Sequence, residues 1–392
     1  MASKAKSLAL IALAQVLALS VWFAGAAALP ALSASTPLSQ FATAALTSAV
    51  QLGFVTGALV SAAFNLPDRF DARQIFAIGA LCAALANLAS LGLEPGSAAM
   101  ISARFVSGAA LALVYPVGMK LAASWAKGDA GLLVGLIVGA LTLGSAVPYL
   151  VGPLIEAQNW RAPFLFSACA AIGASGLILL SKAGPAYRPA QKFRPGAAFK
   201  ALRQRDLSYI NLGYLGHMWE LYAFWAWVGA FLVAWRTSRG LDLGTEAGVY
   251  TFAIITIGVI GALGAGWIAD RVGRAVTAGV ALAIGGVCAA LTPLAWLGPG
   301  WVLGALLLIY GIAVIADSAQ FSAAMAERAP PDLAGSLLTL QTAMGFGLTV
   351  ISVQALPVWA GVIGWQYAFL PLVIGPVIGV WAMIRLARIK PV

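Results

Sequence analysis

Long apolar runs, separated by short charged or Pro/Gly-rich segments, recur along the whole chain. Breaking the sequence at the polar segments leaves twelve runs, at residues 7–32, 43–65, 75–93, 98–125, 131–155, 162–181, 208–235, 247–268, 276–297, 301–326, 335–360 and 367–386. A helix needs about 20 residues to cross a hydrocarbon core of about 30 Å. The pattern therefore predicts an all-α membrane protein with twelve transmembrane helices.

The two halves of the chain repeat each other in three places. PDRFDAR, GDAGLLVGLIVGALTLG and NWRAPF correspond to ADRVGRA, PDLAGSLLTLQTAMGFG and GWQYAF, and the pairs begin at 67 and 269, 128 and 331, and 159 and 364. These pairs are offset by 202, 203 and 205 residues. A parallel repeat of this kind is found in transporters, so we predict two pseudo-symmetric six-helix halves.

The longest polar segment divides the chain between the sixth and seventh runs. It extends from Ser181 to Asp206 and carries seven Lys or Arg residues and one Asp. We therefore predict an N-terminal half at 1–181, a basic linker at 182–206 and a C-terminal half at 207–392. A basic segment beside a membrane is attracted to anionic lipid headgroups.

Composition agrees with a chain that lies almost wholly in the membrane. Hydrophobic residues make up 61% and charged residues 9% of the 392 positions, whereas an ordinary soluble domain is about 45 to 50% apolar and about 25% charged. The first run follows Lys4 and Lys6, as a signal peptide would. Its apolar length exceeds the 7 to 15 residues of a signal h-region, so we interpret it as the first span.

The net charge of +10 is explained by orientation in the membrane. If the N-terminus is cytoplasmic, 19 of the 23 Lys and Arg residues fall on the cytoplasmic side, three fall outside (Arg161, Arg236 and Arg239), and Arg104 lies within a span. By the positive-inside rule we predict a multi-pass protein of the inner membrane with both termini cytoplasmic. We expect a monomer in the lipid bilayer, with no nucleic-acid partner.

Enzyme and cofactor motifs are absent from the sequence. There is no phosphate-binding glycine loop, no G-x-S-x-G elbow and no H-E-x-x-H. The three cysteines, Cys82, Cys169 and Cys288, lie inside apolar runs without CxxC spacing, which disfavours a disulfide framework or a zinc site. We therefore expect a protein that is not an enzyme and that holds no cofactor or resident metal.

A charged motif follows the second run of each half. GWIADRVGR at 266–274 matches the loop motif G-x-x-x-D-R-x-G-R of the major facilitator superfamily, and the whole chain resembles that family. The first-half copy keeps Asp68, Arg69 and Arg73 but has Phe64 and Asp71 where the family has glycines. Arg104 and Gly108 resemble the family's RxxxG motif.

Asp and Arg residues in these loops can pair across the interface between halves, and breaking the pairs would favour another conformation. We interpret them as a conformational gate that consists of Asp68, Arg69, Arg73, Asp270, Arg271 and Arg274. The alternative is that they are surface charges that set the topology.

Four ionisable groups lie well inside predicted spans, away from their ends, namely Arg104, His217, Glu220 and Asp317. Each costs about 2.5 to 3.5 kcal/mol near the bilayer centre, so each is a functional candidate. The family resemblance implies that spans 1, 4, 7 and 10 line a central cavity, and all four groups fall on those spans.

Two pairs of these residues share the helical i, i+3 spacing that allows side chains to meet. They are His217 with Glu220 and Asp317 with Gln320. A carboxyl group with a basic neighbour can load and release a proton, so we interpret the set as a proton and substrate site. The alternative is a permanent structural bridge that joins Glu220 or Asp317 to Arg104 or His217.

Further candidates for the substrate site are polar or amphipathic residues on spans 1, 4, 7 and 11, namely Trp22, Tyr115, Tyr222 and Gln341. His217, Met218, Glu220 and Asp317 could instead hold a transition metal. The sequence thus predicts a secondary transporter that is driven by protons and moves a small organic anion or an amphipathic metabolite. The alternatives are a transporter of a transition metal or organic cation, and a non-transporting sensor or assembly factor with the same fold.

Overall fold

A computed structural model of the chain describes residues 2–127, 129–155, 159–187, 193–241, 246–330 and 332–389. Within these residues the protein is helical and has no strand. Twelve helical segments are long and apolar enough to cross a membrane, and we number them spans 1 to 12: Lys4–Ser35, Gln40–Phe64, Ala72–Gly92, Ala98–Ala123, Gly131–Val151, Arg161–Leu179, Arg205–Ser238, Glu246–Val272, Arg274–Leu297, Gly300–Arg328, Ala334–Ile363 and Trp365–Ala387. The predicted fold class is confirmed.

Five of the spans are broken into two helices, although the apolar pattern predicts continuous ones. The pieces are Ala2–Leu19 and Ala24–Ser35, Ala98–Leu111 and Tyr115–Ala123, Ala130–Ala146 and Pro148–Ile155, Glu246–Thr256 and Gly258–Val272, and Gly300–Ala316 and Ser318–Arg328. Pro116 and Pro148 account for two of the breaks, since proline lacks an N–H and its ring collides with the carbonyl one turn earlier in a continuous helix. The breaks in spans 1 and 10 contain no proline.

The other spans are single helices, or a helix with short 3₁₀ turns. Their helices are Gln40–Phe64, Ala72–Ala89, Arg161–Leu179, Arg205–Ser238, Arg274–Leu297, Ala334–Ile363 and Ile374–Ala387. The 3₁₀ turns are Ser90–Gly92, Trp365–Tyr367 and Leu370–Val373. Two short helices lie outside the spans, Leu66–Arg69 and Pro195–Ala201. We call the side of the bundle on which span 1 begins the terminal face, and the opposite side the far face.

Glycines bring the second and fourth helices of each half into close contact. A Cβ atom on Gly108 of span 4 would collide with the carbonyl oxygen of Val50 of span 2, and a Cβ on Gly311 of span 10 would collide with that of Ile254 of span 8. Gly108 and Gly311 are 203 residues apart, the offset of the sequence repeat. The halves meet where span 2 packs on span 11 and span 5 packs on span 8.

Candidate functional site

Arg104 of span 4 is fully buried and donates four hydrogen bonds. Its Nη2 donates to the carbonyl oxygens of Val21 (2.9 Å) and Trp22 (3.0 Å), its Nε to that of Leu46 (3.2 Å), and its Nη1 to Oδ1 of Asn87 (2.7 Å). Because span 1 is broken between its two helices, Ala2–Leu19 and Ala24–Ser35, the carbonyl of Val21 accepts only a long main-chain bond from Ala24 (3.4 Å), and that of Trp22 accepts none from the described main chain. The guanidinium therefore donates hydrogen bonds to the carbonyl oxygens at the break in span 1 and fixes the main chain at Trp22.

Arg104 makes these hydrogen bonds without forming an ion pair with any described residue. Among the described residues it forms no salt bridge with Glu220 or Asp317, and its only aromatic partner is Phe164, at 5.5 Å from the ring centroid. In this structure it acts as a clamp between spans 1, 2, 3 and 4. Neither an anion nor an acidic counter-charge is needed to complete its hydrogen bonds.

The buried acid–base pair of the structure joins span 7 to the break in span 10. Nδ1 of His217 lies 2.7 Å from Oδ1 of Asp317, and both side chains are 1% exposed. Asp317 occupies the single position between the helices Gly300–Ala316 and Ser318–Arg328. The contact has ion-pair distance but not the geometry of a hydrogen bond, and Nε2 of His217 also has no partner in the described chain. The expected meeting of His217 with Glu220 is not present.

The N-terminal half contains a neutral counterpart of this junction. Gln15 of span 1 donates from Nε2 to the carbonyl oxygens of Val114 (3.4 Å) and Tyr115 (3.1 Å), at the break in span 4. Gln15 and His217 are 202 residues apart, as are Tyr115 and Asp317. The first and fourth helices of each half are thus joined at the same place, by an amide in one half and by a titratable pair in the other.

Glu220 is buried and faces away from the His217–Asp317 pair. A Cβ atom on Gly285 of span 9 would lie 3.0 and 3.1 Å from the two carboxylate oxygens of Glu220. The hydroxyl of Tyr310 lies beside this carboxylate without a well-formed hydrogen bond, and Oε1 of Glu220 has no partner in the part of the chain that the structure describes. Glu220 is therefore a separate buried acid inside the C-terminal half.

Aromatic rings from both halves meet at the break in span 1. Trp22 lies 4.9 Å from Phe54 of span 2, 5.7 Å from Tyr222 of span 7 and 5.4 Å from Phe346 of span 11, measured between ring centroids. Phe23 stacks on Tyr222 at 6.1 Å with an interplanar angle of 10°. We call these five residues the aromatic cluster. The structure thus brings together two of the predicted substrate-site residues, Trp22 and Tyr222.

The remaining predicted site residues lie closer to the terminal face. Gln320 is buried and accepts a hydrogen bond at Oε1 from Arg274 (3.1 Å), so it belongs to the gate motif rather than to Asp317. Tyr115 is half-buried and contributes its carbonyl oxygen to Gln15. Gln341 is buried in span 11, and its Nε2 has no partner within the described residues.

The second-half gate motif is held mainly within its own half. Arg274 pairs with Asp270 (3.0 Å) and Glu327 (3.2 Å), while Arg271 donates to the carbonyl oxygen of Trp267 and lies over its ring. The carboxylate of Asp270 also approaches the first turn of span 5, since its Oδ2 is 3.8 Å from a Cβ built on Gly131. Asp270 is therefore the member of this motif that reaches the other half.

The first-half motif is organised around Asp71 instead. Its carboxylate caps the next helix by accepting from the backbone N–H of Arg73 (2.9 Å) and pairs with the Arg73 side chain (2.5 Å). This hydrogen-bonded contact with Arg73 lowers the pKa of Asp71. Arg73 also donates to the carbonyl of Ser181, Arg69 is exposed, and the side chain of Asp68 lies outside the described residues.

Backbone geometry explains why one motif has glycine where the other has Asp71. Gly273 has φ 91° and ψ 151°, whereas Asp71 has φ −60° and ψ 120°. The first conformation is strained for a residue with a side chain. The two loops thus depart from exact repetition at this position.

The proposed alternative of a transition-metal site finds little support in this geometry. No group of three His, Cys, Asp or Glu side chains is close enough to hold a metal within the segments described. Of the four candidate ligands, His217 and Asp317 meet, but Glu220 faces span 9.

Sequence reasoning missed several residues of this site. Gln15 could have been found, because it is a polar residue inside an apolar run and lies one repeat length from His217. Asn87, in span 3, carries a similar signal. Phe54 and Phe346 carry none, since phenylalanine is common throughout apolar helices.

Comparison with known proteins identifies the fold. The sequence matches the Major Facilitator Superfamily over residues 11–353. Among solved structures, a mutant of the nucleoside transporter NupG is similar with a TM-score of 0.73 at 14% identity, covering 97% of this chain and 99% of that one. A D-xylose-proton symporter has a TM-score of 0.75 at 16% identity, with 98% of each chain covered.

The xylose transporter XylE from E. coli, in a partially occluded inward-open conformation, has a TM-score of 0.75 at 14% identity, covering 100% of this chain and 98% of that one. No curated protein matches the sequence. At these identities the solved structures establish the fold, and the family match establishes the family.

Proposed function

The chain belongs to the major facilitator superfamily and is a multi-pass membrane transporter; from this premise we propose that it moves a small solute by alternating access and is driven by protons. The lack of any ATP-binding motif in the sequence supports an ion gradient as the energy source. The excess of Lys and Arg in the segments on the terminal face supports an inner-membrane location with both termini cytoplasmic.

The observation that carries proton coupling is the His217–Asp317 pair at the break in span 10. A buried carboxylate beside an imidazole is stabilised when the ring carries a positive charge, and a buried charge that loses its partner is costly. Protonation of Asp317 removes the ion pair, whereas the amide contact of Gln15 in the other half does not respond to pH. One half of the transporter therefore has a helix junction that senses protons, and the other half has a constant one.

A protonated Asp317 releases span 10 from span 7, and deprotonation restores the contact. Because Asp317 lies between two separate helices, the segment Ser318–Arg328 can tilt without bending a continuous helix. Loss and recovery of the ion pair would then bias the two conformations of an alternating-access cycle. Glu220, for which the described residues provide no basic partner, is a second buried acid that the same measurements should examine.

Reconstitution into liposomes tests this proposal. A pyranine-loaded vesicle should report proton movement when a transported solute is added from a broad panel of anions, cations and uncharged compounds. Asp317→Asn should abolish the pH dependence of solute flux and of solute-driven proton movement, because the amide cannot exchange a proton. Glu220→Gln should keep that dependence if Asp317 alone carries the coupling proton.

Gln15→Leu is the matched control. It disturbs the equivalent junction in the N-terminal half without removing a titratable group, so the flux should fall while its pH profile stays the same. Solute flux without proton movement would reject proton coupling, and no flux with any solute would favour the sensor or assembly-factor alternative. An unchanged pH profile in Asp317→Asn would exclude Asp317 as the proton carrier.

A further inference from the structure

The aromatic cluster lies at the junction of the two halves. Phe54 and Phe346 meet at 4.6 Å between ring centroids, and Tyr222 and Phe346 meet at 4.9 Å. Spans 1 and 2 of one half and spans 7 and 11 of the other each contribute at least one ring. A surface that both halves share must open and close as they move, which is where an alternating-access transporter holds its solute.

Charged groups do not reach this cluster as available binding partners. Arg104 is adjacent to it, but four of its five N–H donors are occupied by the carbonyls of Val21, Trp22 and Leu46 and by Asn87. Glu220 lies two residues before Tyr222, but its carboxylate contacts span 9 at Gly285. The His217–Asp317 pair begins five residues before Tyr222, about 7.5 Å along the helix axis. Arg104 therefore does not provide the anion site that the sequence favours.

Neutral polar groups around the cluster are buried and have no partner. Trp22 Nε1, Trp225 Nε1, and both side-chain nitrogen and oxygen atoms of Gln51 are unpaired in the described residues. Trp225 contacts Phe23 at 6.1 Å and Tyr222 at 5.8 Å, and Gln51 lies one helical turn before Phe54. Each unpaired buried donor or acceptor costs free energy. Several of them lie together here, which indicates that a bound molecule forms hydrogen bonds with them in another conformation of the transporter.

We propose that the aromatic cluster binds the transported solute, and that this solute is uncharged and carries a flat ring with hydrogen-bonding groups at its edge. The rings supply stacking surface, and Trp22 Nε1, Trp225 Nε1 and Gln51 supply neutral donors and an acceptor. Arg104 is a positioning residue, since it holds the main chain of Trp22. The inference rests on the proposed function as a transporter and gives its substrate class.

Three small compounds of nearly equal shape separate the charge classes: benzamide is neutral, benzoate is anionic and benzamidine is cationic. Binding is measured by thermal shift on the purified protein in detergent, where there is no pH gradient. Uridine serves as a second neutral compound with a flat ring, and xylose as a neutral compound without an aromatic ring. We expect stabilisation by benzamide and uridine, with affinities at least about tenfold higher than those of benzoate and benzamidine. Tighter binding of either charged compound, binding of xylose alone, or no binding of a neutral ring at about 10 mM would overturn the proposal.

Variants locate the site. Trp22→Phe keeps a ring but removes the N–H, so benzamide and uridine should bind about fivefold more weakly, the effect of one neutral hydrogen bond of about 1 kcal/mol. Phe54→Leu should weaken the binding of both compounds by a similar factor. Trp296→Phe is the control, because Trp296 is a buried tryptophan that packs on Phe231 at 5.1 Å and lies outside the cluster. Equal affinities in Trp22→Phe, Phe54→Leu and Trp296→Phe would place the site elsewhere.

The same compounds in pyranine-loaded liposomes separate this inference from the proposed function. If benzoate binds and drives proton movement faster than in protein-free liposomes, the transporter proposal stands and the substrate class is wrong. If benzamide or uridine binds to the cluster but moves no protons, the substrate class stands and proton coupling is wrong.

Discussion

At the scale of single residues, the hydrogen-bond partners of Arg104 determine its structural role. A guanidinium has five N–H donors in a rigid plane, so one side chain can satisfy several carbonyl oxygens on different helices. Here it satisfies Val21, Trp22 and Leu46. Lysine has a compact ammonium group and cannot reproduce this planar fork.

We expect Arg104→Lys and Arg104→Gln to destabilise the protein. Each loses carbonyl contacts at the break in span 1, and an unsatisfied buried acceptor costs about 1 to 3 kcal/mol. The thermal unfolding temperature in detergent should fall for both variants, and quenching of tryptophan fluorescence by acrylamide should increase as Trp22 loses its fixed backbone.

Arg161→Lys is the matched control for these substitutions. Arg161 lies over the Trp160 ring at 4.5 Å and is exposed, so the same loss of a guanidinium should leave stability nearly unchanged. Arg104 variants as stable as Arg161→Lys would show that the carbonyl contacts do not hold span 1.

The importance of Arg104 could be predicted from the cost of a charge in the membrane, but its partners could not. Two of its acceptors are the carbonyls of Val21 and Trp22, which are available because span 1 is broken at a sequence without proline. Periodicity and hydropathy show which residues are apolar, but they do not show which main-chain carbonyls lack an N–H group as a hydrogen-bond partner. His217 was likewise recognisable, yet its partner lies 100 residues away, on span 10, rather than one turn away on span 7.

At the scale of helices, the break in span 10 connects the acid–base pair to the gate motif. The backbone N–H of Gln320 donates to the carbonyl oxygen of Asp317 (2.9 Å), the Gln320 side chain accepts from Arg274, and Arg274 pairs with Asp270. Asp270 in turn reaches the start of span 5 in the other half. Contiguous contacts of this kind allow a proton on Asp317 to affect the interface between the halves.

Gln320→Leu should weaken this connection. The leucine cannot accept a hydrogen bond from Arg274, and a hydrogen bond to a charged group contributes about 1.5 to 3 kcal/mol. Since about 1.4 kcal/mol corresponds to a factor of ten, proton-driven uptake should fall about tenfold or more, while solute binding in detergent should remain. The measurement is the ratio of uptake driven by an imposed pH gradient to equilibrium exchange without one.

Glu327→Gln is the control for this helix connection. It also removes a partner of Arg274 (3.2 Å), but the Glu327 side chain is 56% exposed, and exposed ion pairs contribute about 0 to 1 kcal/mol. Its ratio of driven uptake to exchange should stay close to that of the wild type. A normal ratio in Gln320→Leu would mean that the proton acts on the interface by another route.

At the scale of the whole molecule, the protein uses one scaffold twice with different chemistry. The twelve spans and the repeat could be predicted, because membrane helices need long apolar runs and the loop motifs recur at nearly constant offset. The contact of Gln15 with the break in span 4, as the counterpart of the His217–Asp317 pair, needed the structure, since the two junctions share position and not residue type. The aromatic cluster also needed it, because its rings come from four spans.

The two halves also meet on the far side of the aromatic cluster, where Nε2 of Gln354 in span 11 donates to Oγ of Ser48 in span 2 (2.8 Å). An alternating-access cycle has to separate spans 2 and 11 at this place to admit solute from the far face. In a background with Cys82, Cys169 and Cys288 replaced by alanine, Ser48→Cys with Gln354→Cys should react with a short dimaleimide. Net uptake should then fall to near zero, while each single cysteine variant treated with the same reagent should keep its rate. A cross-linked protein that still transports would show that spans 2 and 11 stay together throughout the cycle, and that the far face opens elsewhere.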